Sequence, residues 1–157
     1  MPSRSDEHEF LNWALQNDRD AVDLVQRLFR VSQVLDDLVD KDCELSDLQV
    51  YAAFFECLVL IPANAAYQKY FPHINPLLGQ YLQDWFDATQ MERSGIDHHR
   101  RVAFGLRSNL GGIITQLALL IGGFEWMQRV APAVRDHIHC ELFYEYEREL
   151  TGGDHVR

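Results

Sequence analysis

An all-α fold, a single-domain bundle of about six helices, is what this sequence of 157 residues predicts. Three observations carry that prediction. Every segment long enough to classify repeats its apolar residues at helical spacing, and no stretch alternates apolar and polar residues for long enough to make a sheet. The breaks between segments carry the residues that cap and stop helices. Composition is 47% apolar and 24% charged, inside the globular range and far from the polar, highly charged sequences that stay disordered. Residues 1–157 are expected to form one helical domain, with 1–5 and 152–157 frayed at its ends.

The first helix is expected over residues 6–16, stopping near "QNDRD", where Asn17 or Asp18 can cap the next. The second spans 19–41. On a wheel of 100° per residue, Leu24, Leu28, Val31 and Val39 fall within about 40° of Leu35, which makes them the core stripe. Ser46 with Gln49 three residues on has the form of a capping box and opens a third helix. Its text, "YAAFFECLVLIPANAAY", is apolar nearly all round, so it is expected to be the most buried helix, kinked or broken at Pro62. "FPHINP" reads as a turn, with Asn75 and Pro76 starting a fourth helix that ends near Arg93. Asp97 is the expected cap of a fifth helix reaching Gly122 and Gly123, and close helix crossing would explain Gly111 and Gly112 inside it. Pro132 is the expected start of a sixth helix that closes before Gly152.

Lys and Arg total 14 against 24 Asp and Glu, a net charge of -10, the wrong sign for nucleic acid. The acidity suits a metal ion, a cationic partner or plain solubility. Cys43, Cys57 and Cys140 are odd in number and widely spaced, which indicates free thiols in a reducing cytoplasm. "MPSRSDEHEF" lacks the form of a secretory signal. "VAFGLRSNLGGIITQLALLIGGF" carries Arg107, Asn109 and Gln116, so it is expected to be a buried helix and no membrane span.

Three sets of side chains could carry chemistry. In "VLDDLVDKD", Asp36 and Asp40 lie at the edge of the apolar stripe, while Asp37 points further out, within i+4 reach of Lys41. Two carboxylates at i, i+4 repel unless a divalent cation bridges them, so the cluster is either a magnesium site or a solvated helix end, where Asp42 would also serve the turn. His137, Glu141, Glu145 and Glu149 form an i+4 row, which would be either a transition-metal face or an ordinary solvated one. Arg100, Arg101 and Arg107 gather near His98 and His99 and could grip a phosphate or answer the acidic helices. Glu56, isolated in "FFECLVL", must find a partner or hold its proton; an arginine across the bundle is the expected partner. Asp20, Asp23, Asp37 and Asp40 mimic the paired acidic motifs of an all-α pyrophosphohydrolase, but a continuous helix would part them by about 25 Å.

"VLDDLVD" resembles the first Asp-rich motif of class I isoprenoid synthases, including squalene and phytoene synthases. By that resemblance Asp36, Asp37 and Asp40 would hold magnesium against a prenyl diphosphate. Asp84 and Glu92 in "DWFDATQME" would be helpers, with Ala88 standing where the family's second motif has a hydroxyl, and Arg100, Arg101 or Arg107 would meet the diphosphate. The chain is about half the length such a bundle uses to wall off a prenyl cavity, so a homodimer would have to complete it. A second resemblance covers more of the chain: "DDLVDKD", "LIPANAAYQKYF", "NPLL", "DATQMERSG" and "IGGFEW" are similar in order and spacing to small proteins of tailed phages and prophages. This likeness implies origin and no particular mechanism. Two functions follow as expectations: a non-catalytic phage-type protein that binds a host or virion protein in the host cytoplasm, or a magnesium-dependent protein that binds a diphosphate ligand.

Overall fold

The computed structural model describes residues 6–41, 43–139 and 141–151, and among them every regular element is a helix. Asp42, Cys140 and the expected frayed ends, with the stop at Gly152, lie outside the described residues. Two compact units divide the chain, one running to Pro72 and including Leu120–Gly122, the other comprising His73–Leu119 and the chain from Gly123.

The first unit opens with α1 (Glu7–Ala14) and α2 (Arg19–Asp40). Asp18 caps α2 as its sequence position predicts, its carboxylate accepting from Ala21 N at 3.0 Å. The stripe of α2 is buried only at its N-terminal end, at Ala21, Val22, Leu24, Val25 and Leu28; Val31, Leu35 and Val39 are half-buried. Next comes α3 (Asp47–Phe55), which opens with the expected capping box: Ser46 N donates to Gln49 Oε1 at 2.9 Å and Gln49 N to Ser46 Oγ at 3.3 Å. It continues through a π-helical turn, Glu56–Leu60, and a last turn, Ile61–Ala63. Pro62 has no N–H for the carbonyl four residues back, and its ring crowds that carbonyl; a wider turn just before it relieves both.

At Asn64 the chain turns by 97° into α4 (Ala65–Arg93). Asn64 is buried and makes the corner: its Oδ1 accepts from Tyr67 N at 2.9 Å, capping α4, while its Nδ2 donates to Asp20 O at 2.9 Å and Asp23 Oδ2 at 3.1 Å. Asn64→Ala removes the cap and leaves buried polar groups unpaired, so it is expected to cost about 2 kcal/mol, measured as the shift in urea unfolding of the whole chain.

Several expected boundaries are corrected. "FPHINP" makes no turn, because α4 runs straight through Pro72 and Pro76. Both prolines are exposed and one turn apart, so the carbonyls they leave unpaired open towards water, while buried Tyr70 and Ile74 keep the opposite side packed. The fifth helix is two, α5 (Asp97–Leu106) and α6 (Leu110–Gly122), parted at Ser108, whose hydroxyl donates to Gly105 O at 2.9 Å. Ile96, and not Asp97, is the cap residue of α5; Asp97 is the first helical residue and pairs with Arg101 at 3.2 Å. Gly123, with φ 82°, ends α6 at the expected place. The sixth helix starts earlier than Pro132, as α7 (Phe124–Ile138), and the chain breaks again before α8 (Phe143–Leu150).

The core of the second unit is built on α6, where Leu110, Ile113, Ile114, Leu117 and Ala118 are all buried, with Val130, Val134 and Ile138 of α7 beside them. Gly111 lies against α7, but a Cβ there would meet Val134 Cγ1 at an ordinary 3.4 Å, and one at Gly112 would meet nothing within 4 Å, so close crossing requires neither glycine. Taken as one rod, Asp97–Gly122 is long and apolar enough to cross a bilayer, as is the bent pair Asp47–Ala63 with Ala65–Arg93 when counted together.

Candidate functional site

Glu56 is the only charged side chain between Leu48 and Leu60, so it decides how α3 and its π turn are rotated. A half-buried carboxylate needs a cation, and α2 offers two at helical spacing. Arg30 Nε and Nη2 each lie 3.0 Å from Glu56 Oε1, and Arg27 Nη1 lies 3.6 Å away, with Arg27 itself held by Asp23 at 2.7 Å. The expectation that Glu56 pairs with an arginine across the helices is met twice over. Turning this polar side inward points the opposite side of α3 at solvent.

That outer face is apolar and nearly continuous. Leu48 is 73% and Leu58 is 72% exposed, and Tyr51, Phe54, Phe55 and Val59 between them are exposed as well. No residue of α3 or of the π turn is buried, which overturns the expectation that this is the most buried helix. The reason is rotational: with apolar residues nearly all round beyond Asp47, the helix is placed by Glu56. The Tyr51 and Phe55 rings meet along this face, tilted at 37° with their centroids 6.1 Å apart. Contiguous exposed apolar side chains of this kind mark contact surfaces, whereas single ones do not. The Cys57 thiol at its edge is exposed, and partial burial and then Glu56 push its pKa up, making it a poor nucleophile.

The acidic cluster lies at the C-terminal end of α2, before the chain turns into α3. Asp36 and Asp37 are half-buried and Asp40 is exposed, with exposed Leu38 among them. Gln33 Nε2 donates to Asp37 Oδ1 at 2.9 Å, and Lys41 closes α2 with a left-handed backbone, φ 60°. Among the described residues no three His, Cys, Asp or Glu side chains are grouped to hold a metal ion.

The other candidate residues lie in the second unit and serve one another. Glu92 accepts from Arg107 Nη2 at 2.5 Å and Nε at 3.0 Å, and from the Tyr146 hydroxyl; Arg107 also reaches Thr89 Oγ1 at 3.3 Å and lies 5.3 Å from the centre of the Trp85 ring. Asp84 accepts from Gln80 at 2.7 Å and from Asn109. Arg101 pairs with Asp97 and lies over Phe143, at 4.6 Å. Arg100 is half-buried, and its Nε is buried without a hydrogen-bond partner. Asp84 and Glu92, expected as metal helpers, and Arg107, expected to meet a phosphate, are thus joined to partners within the unit. Ser108 and His139 share a hydrogen bond, and burial, then Arg135, push the His139 imidazole below its ordinary pKa.

The row His137, Glu141, Glu145 does not run along one helix: His137 is on α7, Glu141 lies in the break and Glu145 is on α8. Glu145 accepts from Leu142 N at 3.0 Å and so caps α8, while burial, then Glu149 and Glu145, push the Glu141 pKa up.

Burial and the hydrogen bond to Glu92 hold the Tyr146 phenol far above its ordinary pKa. Above about pH 10 the unfolded chain therefore loses this proton while the folded one keeps it, and stability falls as pH rises. Alkaline unfolding of Tyr146→Phe is expected to show a shallower loss above that pH than the native chain, followed by circular dichroism.

No protein family, curated protein or solved structure matches the chain. The functional reading therefore stands on the site itself. Leu48, Tyr51, Phe54, Phe55, Leu58 and Val59 are its residues that sequence reasoning placed in the core, and the pairing of Glu56 with Arg27 and Arg30 was the signal that could have turned them outward.

Proposed function

We propose that this is a non-catalytic helical protein of phage type that binds a host or virion protein in the host cytoplasm, using the outer face of α3 and the adjoining end of α2. The observation that supports it is a helix with no buried residue that presents Leu48, Tyr51, Phe54, Phe55, Leu58 and Val59 to solvent. Stable exposure of so many large apolar side chains on one face is costly in water unless a partner covers it. The alternative, magnesium holding a prenyl diphosphate at Asp36, Asp37 and Asp40, draws no support from Glu92 and Arg107, which are bonded to each other, or from Asp84, bonded to Asn109.

Two measurements on the full chain test the choice. A stoichiometric protein partner is expected to co-purify with the native chain and with Asp36→Asn/Asp40→Asn, and to be lost with Phe54→Ser/Leu58→Ser. Melting with magnesium and farnesyl diphosphate is expected to show no shift, since only a ligand of the folded state raises the melting temperature. A shift that disappears in the Asp36→Asn/Asp40→Asn chain would establish the diphosphate reading instead.

A further inference from the structure

Resting on that reading, we infer that the partner segment is a basic amphipathic helix, which lays its apolar side on α3 and its cations against the acidic rim. The apolar part of the match comes from helical spacing: Leu48, Tyr51, Phe55 and Val59 follow one face at i, i+3, i+7 and i+11, with Phe54 and Leu58 one turn apart beside them. A helix presents side chains at the same spacing and can interleave with them.

The charge comes from what surrounds the face. From Asp36 to Asp47 the sequence holds six acidic residues and one base, Lys41, and from residue 42 to residue 68 there is no Lys, Arg or His. Asp40, Glu44 and Asp47 are exposed at the end of the face where α2 stops and α3 begins. The one carboxylate farther along, Glu56, is turned inward on its arginines. A partner's cations therefore meet acid at one end and no opposing charge along the rest. The same pattern disfavours two other occupants. A second copy would set its acidic rim against this one in a parallel two-fold pairing, and in an antiparallel one its α3 would bring no cation to it. Anionic lipid would repel the rim, since membrane-binding helices carry Lys and Arg beside their apolar side.

The test uses three labelled peptides that share one helical Leu pattern and carry Lys, Gln or Glu at every polar position, titrated onto the full chain and followed by fluorescence anisotropy. The Leu/Lys peptide is expected to bind most tightly and the Leu/Glu peptide not at all. Neutralising the rim with Asp40→Asn/Glu44→Gln/Asp47→Asn should weaken the Leu/Lys peptide about tenfold and leave the Leu/Gln peptide unchanged. Phe54→Ser/Leu58→Ser should abolish both.

Equal binding of the Leu/Lys and Leu/Gln peptides, lost with Phe54→Ser/Leu58→Ser, would overturn the charge assignment while leaving α3 a protein-binding face. Leu/Lys binding that survives Phe54→Ser/Leu58→Ser would overturn the placement on α3. A dimer by sedimentation, or binding to phosphatidylglycerol vesicles, either abolished by Phe54→Ser/Leu58→Ser, would replace the basic helix with a second copy or a lipid surface. If none of the peptides binds, the inference fails, and the co-purification experiment alone decides the broader reading.

Discussion

Replacing Arg107 by Met is expected to cost the second unit about 3–5 kcal/mol, the loss typical when one member of a buried ion pair is removed. The Glu92 side chain is only 7% exposed and that of Arg107 20%, so the carboxylate left behind can reach little water. Tyr146 would still donate to Glu92, but one neutral donor does not balance a buried charge. Glu92→Leu combined with Arg107→Met removes both charges and is expected to recover a substantial part of the loss, because two apolar side chains need no partner. Urea unfolding of the two single variants and the double variant gives the coupling directly. Strictly additive losses would mean that the pair contributes nothing specific.

Leu117→Ala is expected to cost about 2–5 kcal/mol. Leu117 is fully buried on α6, within the most buried helix of the chain. Truncation there loses the transfer energy of the methyl groups and leaves a cavity that packed neighbours cannot fill. Leu82 is the control: it is exposed on α4, and Leu82→Ala should shift stability by less than about 0.5 kcal/mol. Equal losses at the two positions would contradict the assignment of the core to α6.

Local chemistry was legible before the structure and long-range placement was not. The Asp18 cap, the Ser46 and Gln49 box and the Gly123 stop depend on residues within one turn of each other, so their spacing alone reveals them. The all-α class was legible for the same reason, as periodicity is local. The break between α5 and α6 was also local, but Ser108 and Asn109 sit inside an otherwise unbroken apolar period that masks them. Pro72 and Pro76 misled because an interior proline commonly kinks or ends a helix, whereas here the packing of Tyr70 and Ile74 carries the helix through, and packing is a tertiary property.

The candidate site shows the same limit more sharply. Glu56 was read correctly as needing an arginine, yet the step from that pairing to the rotation of α3 requires knowing that its partners are Arg27 and Arg30 of α2. Apolar content had suggested burial, although a helix apolar on all sides has no preferred face until something polar anchors one. Glu92 was read as a possible metal helper, and Arg107 as gripping a phosphate or answering the acidic helices, without Glu92 being named as the acid it answers. Their separation of fifteen residues gave no sign that they answer each other.

The account rests on the outer face of α3 being surface and not core, and the stability of the Phe54→Ser/Leu58→Ser chain measures that directly. With both side chains exposed, urea unfolding should place this variant within about 0.5 kcal/mol of the native protein. A loss of about 4 kcal/mol or more, the sum expected for a buried Phe and a buried Leu, would contradict it.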